Sequence, residues 1–354
     1  MRQKARLGKV ILVGALAGAL TFGLAACGNS SSGSDSASGS DSSGDSVTIT
    51  NVSYDPTREF YAAYNELFQD YYKEEAGVDV EVVQSHGGSG SQARSVIEGN
   101  EADVVTLALA HDITLIEDAG MIEPDWIEEF PDNSSPYTST IVFLVREGNE
   151  KDIQDWDDLT KNGVEVITPD PKSSGGACWN FLAAWHYADL LYDGDEQEII
   201  AFESELYDNV IVMDSGARGA TTTFVENGQG DVLIAWENEA LMAMDEYPGE
   251  YEMITPSVSI LAEPSVAVVD ENVDKDGTRE VAEAYLNYLY TDEAQELIGE
   301  YYYRPTNEEI LETFSDQFDL SINMCTIDDF GGWDQAYEDF FQDGAIFDRI
   351  ISGE

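Results

Sequence analysis

Val78-Asp79-Val80-Glu81-Val82-Val83 leads into Gln84-Ser85-His86-Gly87-Gly88-Ser89-Gly90-Ser91, and this stretch decides how the rest of the chain is read. A β-branched run passes directly into small polar residues, and a helical pattern through Ala93, Val96 and Ile97 follows. The grammar recurs. Residues 164–168 read as a strand that runs into Pro169-Asp170-Pro171-Lys172-Ser173-Ser174-Gly175-Gly176, then into a long aromatic helix over 179–192. Residues 210–213 run into Asp214-Ser215-Gly216-Ala217-Arg218-Gly219, then into a helix over about 220–226. Residues 231–235 run into Trp236-Glu237-Asn238-Glu239 and another helix. Short strands alternating with helices define an α/β fold. In an open α/β sheet, the strand C-termini and the helix starts that follow them line the ligand crevice.

Each such helix start offers backbone N–H groups without intrahelical acceptors and a partial positive charge. Glycine lets a ligand approach the backbone, and serine adds a hydroxyl. Three loops of this kind facing one cleft predict a cage of donors for an oxyanion. Upstream, residues 47–52 read as the first strand, and Asp55-Pro56 predicts a helix start with Asp at the cap and Pro at the first helical position. Phe60, Tyr64, Leu67, Phe68 and Tyr71 then repeat at helical spacing before Gly77 and predict a core stripe. Residues 103–109 and 140–145 read as further strands.

The N-terminus reads as a targeting segment. Arg2, Lys4, Arg6 and Lys9 precede an uncharged apolar stretch that ends in Leu24-Ala25-Ala26-Cys27. That ending resembles a bacterial lipobox, with residues 1–26 as signal peptide and Cys27 as the lipidated mature N-terminus. Residues 28–46 are almost wholly Ser, Gly and Asp, so 27–46 reads as a lipid-anchored flexible linker. Lipid at Cys27 implies an extracytoplasmic protein on the outer face of a membrane, held there by the anchor alone. Cys178 and Cys325 remain, either as a pair or as free thiols, with no CxxC spacing and no nearby His to suggest a metal.

The whole chain has 354 residues, with 71 Asp plus Glu against 16 Lys plus Arg, a net charge of −55. Hydrophobic residues still reach 43% and aromatics 11%, enough for a large core. Removing residues 1–26 takes away four basic groups and no acidic one, deepening the charge from −55 to −59. Nucleic acid and anionic membrane surfaces are excluded as partners by long-range repulsion. A small anion is not, because local dipoles in a closed cleft outweigh distant, screened carboxylates.

From about residue 47 to the C-terminus the chain resembles the periplasmic sulfate-binding proteins of bacterial sulfate/thiosulfate ABC transporters. The matching runs, in order, are N-V-S-Y-D-P-T-R-E (51–59), Q-S-H-G-G-S-G (84–90), A-D-V-V-T-L-A-L-A (102–110) and P-Y-T-S-T-I-V-F-L-V-R (136–146). V-I-T-P-D-P-K-S-S-G-G-A (166–177), D-S-G-A-R-G-A-T-T-T-F-V (214–225) and G-D-V-L-I-A-W-E-N-E-A (230–240) follow, with S-I-L-A-E-P (259–264) and Y-Y-R-P (302–305). The resemblance implies a two-lobed periplasmic-binding-protein (Venus-flytrap) fold with the ligand cleft between the lobes. Its lobes are expected at 47–135 plus about 260–305 and at 136–259, with 306–354 as a C-terminal helical segment packed on them.

It also implies a site. Ser89 donates from one lobe; Ser174, Gly175 and Gly176 donate from a helix start in the other; Ala217 supplies a backbone N–H and Trp236 its indole N–H. Asp55 and Arg218 are implied to stand behind these donors, Arg218 by pairing with nearby carboxylates. Where the family commonly has Arg after the S-G-G-A run, this chain has Cys178. The expected ligand is sulfate or thiosulfate, the expected partners are an ABC permease and its ATPase, and the expected form is a monomer with no cofactor and no metal. An all-donor site suits unprotonated sulfate, whereas hydrogen phosphate needs an acceptor. Molybdate or phosphate is the alternative ligand. The rival of another class is a Ser-dependent hydrolase using His86 beside Ser89, but the chain carries no GxSxG elbow, HExxH or P-loop.

Overall fold

The structure, a computed structural model, describes residues 46–353. The leader 1–26, the lipobox Cys27 and nearly all of the linker lie outside the described residues. Two sheets organise the chain. The first has the order Ser265–Val268, Val104–Leu107, Ser46–Tyr54, Asp79–Gly87, with the last three parallel and Ser265–Val268 antiparallel at one edge. The second has the order Val210–Asp214, Val166–Pro169, Val232–Trp236, Ile141–Arg146, Tyr251–Ile254, in which Ile141–Arg146 runs antiparallel to both its neighbours. The inner strands Val104–Leu107 and Val232–Trp236 are buried along their whole length. Their largely apolar character, with Thr106 the one polar residue, follows from cover on both faces.

The chain passes between the sheets near 135–141 and returns near 254–265. The two crossing segments hydrogen-bond to each other, Ser139 N–H to Ala262 carbonyl and Ala262 N–H to Ser139 carbonyl, each at 2.9 Å. Strand Arg304–Pro305 pairs with Tyr137–Thr138 at the same place. The segment 306–353 is mainly helical turns, but it also contributes the strand Asn323–Cys325, which pairs in parallel with Val258–Ile260.

Local boundaries differ from expectation where the cleft is built. Asp55 does not cap the first long helix. Asp55–Thr57 forms a 3₁₀ turn with no side-chain cap, and helix Arg58–Ala76 follows it. The helix ends as expected at Gly77, whose φ of 72° and N–H bond to the Lys73 carbonyl form a left-handed cap. Phe60, Tyr64 and Phe68 are fully buried, and Phe68 meets Tyr285 edge-on at 5.1 Å. Truncating such a ring to Ala costs about 3–5 kcal/mol. Tyr71 departs from the stripe: it is 40% exposed and stacks on Tyr288.

The long aromatic helix starts at Gly175, four residues before the expected Trp179, and runs to Leu191. This shift places Gly175 and Gly176 in its first turn. Helix Ala217–Thr221 likewise begins before the expected Ala220 and continues as a π turn over Thr222–Glu226. Cys178 and Cys325 are both free and buried, so the pairing left open by the sequence is not made.

Candidate anion-binding site

A pocket of about 10 Å³ lies between the ends of the two sheets, with Asp55, Gly88, Ser89, Ser174, Gly176 and Ala217 in its wall. Ligand pockets for drug-sized molecules run to roughly 300–1,000 Å³, so this one suits a small ion. Its residues come from four places in the chain. Asp55 follows strand Ser46–Tyr54, Gly88 and Ser89 follow Asp79–Gly87, Ser174 and Gly176 follow Val166–Pro169, and Ala217 follows Val210–Asp214.

Three helices begin at this pocket: Ser89–Ile97, Gly175–Leu191 and Ala217–Thr221. Their N-caps are Gly88, Ser174 and Gly216, and none of the three has a side-chain cap hydrogen bond. Most helix starts recruit a Ser, Asp or Asn oxygen for this task. Elsewhere in this chain Asp195, Thr291 and Asn307 do so, while helices such as Arg58–Ala76 and Arg279–Tyr288 also start without one, so what marks the pocket is that three such starts meet there. At the pocket, the first-turn N–H groups of Ser89, Gly175, Gly176 and Ala217 stand without an intrahelical acceptor. Converging donors at uncapped helix starts make an anion site.

Two side chains expected to donate are engaged elsewhere. The Ser89 hydroxyl donates to Asp112 at 2.5 Å and accepts from the Ala108 N–H at 2.9 Å. The expected hydroxyl donor is thereby committed to Asp112, leaving the backbone N–H of Ser89. The Trp236 indole N–H donates to the Gly176 carbonyl at 3.1 Å, with the residue 2% exposed. Its nitrogen would lie 3.2 Å from a Cβ at Gly176, so the indole closes the wall behind that glycine. Ser174 is buried at the helix start, and its hydroxyl makes no cap bond. Gly175 packs tightly: a Cβ there would stand 2.8 Å from Leu109 and 3.0 Å from the Ser89 side chain.

Arg218 bonds Glu59 at 2.8 Å, which ties the loop after Val210–Asp214 to helix Arg58–Ala76. Asp55 is the one carboxylate in the pocket wall. Burial raises its pKa, opposed by Arg58 and then Arg218. Asp112, which holds Ser89, is pushed up to about 6 by burial, against the Ser89 hydrogen bond and Arg94. His86 is pushed down to about 4 by burial and then by Arg58, so it is neutral at physiological pH. Its nearest hydrogen-bonding neighbour is Thr57, at 3.4 Å, and Ser89 is bound to Asp112 instead of to an imidazole. That geometry does not assemble a Ser–His pair.

Cys178 sits in the first turns of the Gly175 helix, its thiol directed at the Pro171 carbonyl, 3.4 Å away. Burial raises its pKa well above the ordinary value, so the position supplies no charge to the helix start. Among the described residues, no group of His, Cys, Asp or Glu is arranged to hold a metal, and no helix is long and apolar enough to cross a membrane.

Sequence reasoning missed Asp112 and the cap glycines Gly88 and Gly216. Asp112 lies in helix Ala110–Asp118, which follows strand Val104–Leu107. It obeys the same strand-to-helix grammar but without a glycine- or serine-rich loop to mark it.

The model of the family described as bacterial extracellular solute-binding protein matches residues 57–304. The sulfate-binding protein of Escherichia coli (strain K12) is 56% identical over 306 residues, covering 86% of this chain and 93% of the relative. The chain belongs to the sulfate- and thiosulfate-binding branch of the bacterial extracellular solute-binding proteins. The thiosulfate-binding protein of Pseudomonas aeruginosa is 47% identical over 306 residues, covering 86% of this chain and 92% of that one. Among solved structures, the sulfate-binding protein SubI from Mycobacterium tuberculosis H37Rv superposes with a TM-score of 0.75 at 34% identity, covering 83% of this chain and 99% of that one. The fold is the two-lobed one of periplasmic binding proteins.

Proposed function

We propose that this protein is the extracytoplasmic solute-binding component of a sulfate/thiosulfate ABC importer and that it is not an enzyme. The observation that carries the reading is the meeting of three uncapped helix starts in one pocket too small for an organic substrate. The backbone N–H groups of Ser89, Gly175, Gly176 and Ala217 supply fixed donors, and Ser174 adds a hydroxyl. The Trp236 indole joins them once the ligand takes it from the Gly176 carbonyl. Donors that are already oriented solvate an anion without reorganising, which offsets the cost of removing its water. Arg218 and Asp55 hold the loops behind the donors.

The lobes are assigned to 47–135 plus about 260–305 and to 136–259, one around each sheet. The protein acts as a monomer, tethered through lipid on Cys27 and the Ser/Gly/Asp linker, and delivers its ligand to a permease driven by an ATPase subunit. Docking uses acidic surfaces at the cleft mouth. The strongly negative coat keeps the protein soluble, and the pocket is governed by local dipoles.

Calorimetric titration of the mature protein with sulfate, thiosulfate, molybdate and phosphate tests the reading. Sulfate or thiosulfate should bind at one site, with affinity falling sharply for Trp236→Ala and for a bulky residue at Gly175. A protein that ignores both and takes phosphate or molybdate would overturn the ligand assignment.

A further inference from the structure

Gly88 and Gly216 share an unusual property. Neither backbone requires glycine: Gly88 has φ −58° and ψ 134°, and Gly216 has φ −163° and ψ 163°, both open to any L-residue. Space is what excludes a side chain. A Cβ at Gly88 would stand 2.5 Å from the Ser173 carbonyl oxygen and 2.9 Å from that of Ser215. A Cβ at Gly216 would collide with a carboxylate oxygen of Asp55, and the Gly88 nitrogen lies 3.8 Å from the same point. Contacts between non-bonded atoms settle near 3.5–4.0 Å, so a methyl at Gly88 does not fit against the facing backbone, and a methyl at Gly216 must displace the Asp55 carboxylate.

Both contacts run from one sheet to the other. Gly88 and Asp55 follow strands of the first sheet; Ser173, Ser215 and Gly216 follow strands of the second. Beside them the Trp179 indole N–H donates to the Ala108 carbonyl at 2.9 Å, again between the two sides. The pocket is therefore roofed where the Gly88 backbone meets the Ser173 and Ser215 carbonyls and where the Asp55 carboxylate meets Gly216.

We infer that Gly88 and Gly216 are closure-setting residues: their missing side chains fix how near the two sheets approach over the bound anion, and so how slowly it leaves. This inference rests on the proposed oxyanion-binding function. An added methyl at either position would hold the two sides apart by roughly 1 Å at the rim while leaving every donor in the sequence unchanged. Release, more than capture, should respond.

Gly90 provides the matched control. It lies two residues on, yet a Cβ there would meet nothing closer than 3.5 Å. The test compares Gly88→Ala, Gly216→Ala and Gly90→Ala with wild type. Sulfate affinity and release rate are measured by stopped flow, and the separation of the two sides in saturating sulfate is measured with spin labels on Glu74→Cys and Glu205→Cys, two exposed positions. Gly88→Ala and Gly216→Ala should bind roughly tenfold to hundredfold more weakly through faster release, with a wider label distance and an unchanged thermal midpoint without sulfate. Gly90→Ala should match wild type.

The two glycines follow strands of different sheets, so if one variant loses its unliganded thermal transition, the other decides. Wild-type affinity and label distance in both variants, or an equal loss in Gly90→Ala, would overturn the inference alone. A wild-type protein that takes up no sulfate would overturn the functional reading beneath it.

Discussion

The two sides of the molecule are joined at two places, by opposite means. At the crossover, Arg304 grips Glu237 through two hydrogen bonds of 2.6 and 2.9 Å, with side chains 4% and 1% exposed. At the cleft, Arg218 meets Glu59 through one bond of 2.8 Å, with side chains 40% and 34% exposed. The residue types are the same, and burial makes the difference. A buried pair is costly to form but far more costly to break, because either partner left alone is an uncompensated charge. A half-exposed pair is screened and released cheaply. The first contact suits a permanent connection and the second suits one that opens.

The largest effect should come from breaking the buried contact. Arg304→Ala leaves Glu237 unpaired and should lower unfolding stability by about 3–5 kcal/mol, read from urea denaturation. Burial raises the Glu237 pKa even with Arg304 beside it, so desolvation already outweighs the attraction at that site. A variant as stable as wild type would remove the contrast between the two joints.

The cleft side should show itself next, through pH. His86 has an ordinary pKa of 6.5 and a folded value of about 4, so the unfolded chain binds its proton first on acidification. Its stabilising contribution is complete above 6.5 and is lost as pH falls from 6.5 to about 4. His86→Gln should therefore flatten the acid limb of the stability curve, by about 1–2 kcal/mol after allowance for partial exposure. Asp112 has the opposite sign. Raised from 3.8 to about 6, it contributes fully below 3.8, and that contribution disappears as pH rises through 6. Asp112→Asn should make the acid limb steeper. Thermal midpoints between pH 7 and pH 4 check both, and parallel curves for all three proteins would refute the assignment.

The smallest effect belongs to the exposed pair. Arg218→Ala should cost no more than about 1 kcal/mol of stability. A loss approaching that of Arg304→Ala would show that the cleft joint is as structural as the crossover.

Much of this was legible in the chain. The alternation of β-branched runs with helical patterns identified the α/β class because strand and helix periods are local properties. The strand at 78–83 was found, though it extends through Gly87, since pairing with Ser46–Tyr54 carries the ladder into the glycines. The early start of the Gly175 helix was not legible, because glycine has low helix propensity and the close approach of Leu109 and Ser89 to Gly175 exists only in the folded chain. Asp55 looked like a cap, but tertiary contact turns its carboxylate toward Gly216. Ser89 and Trp236 looked like free donors, and only the fold shows Asp112 and the Gly176 carbonyl occupying them.

By itself the sequence determined the kind of chemistry: glycine- and serine-rich helix starts after strands, which offer N–H groups to an anion whatever the net charge. The tertiary structure decided which of those groups converge, which side chains are already engaged, and how closely the two sheets meet. Those are matters of distance between segments remote in the chain. Backbone preference acts over a few residues, whereas a pocket between Asp55, Ser89, Gly176 and Ala217 exists only after both sheets have packed.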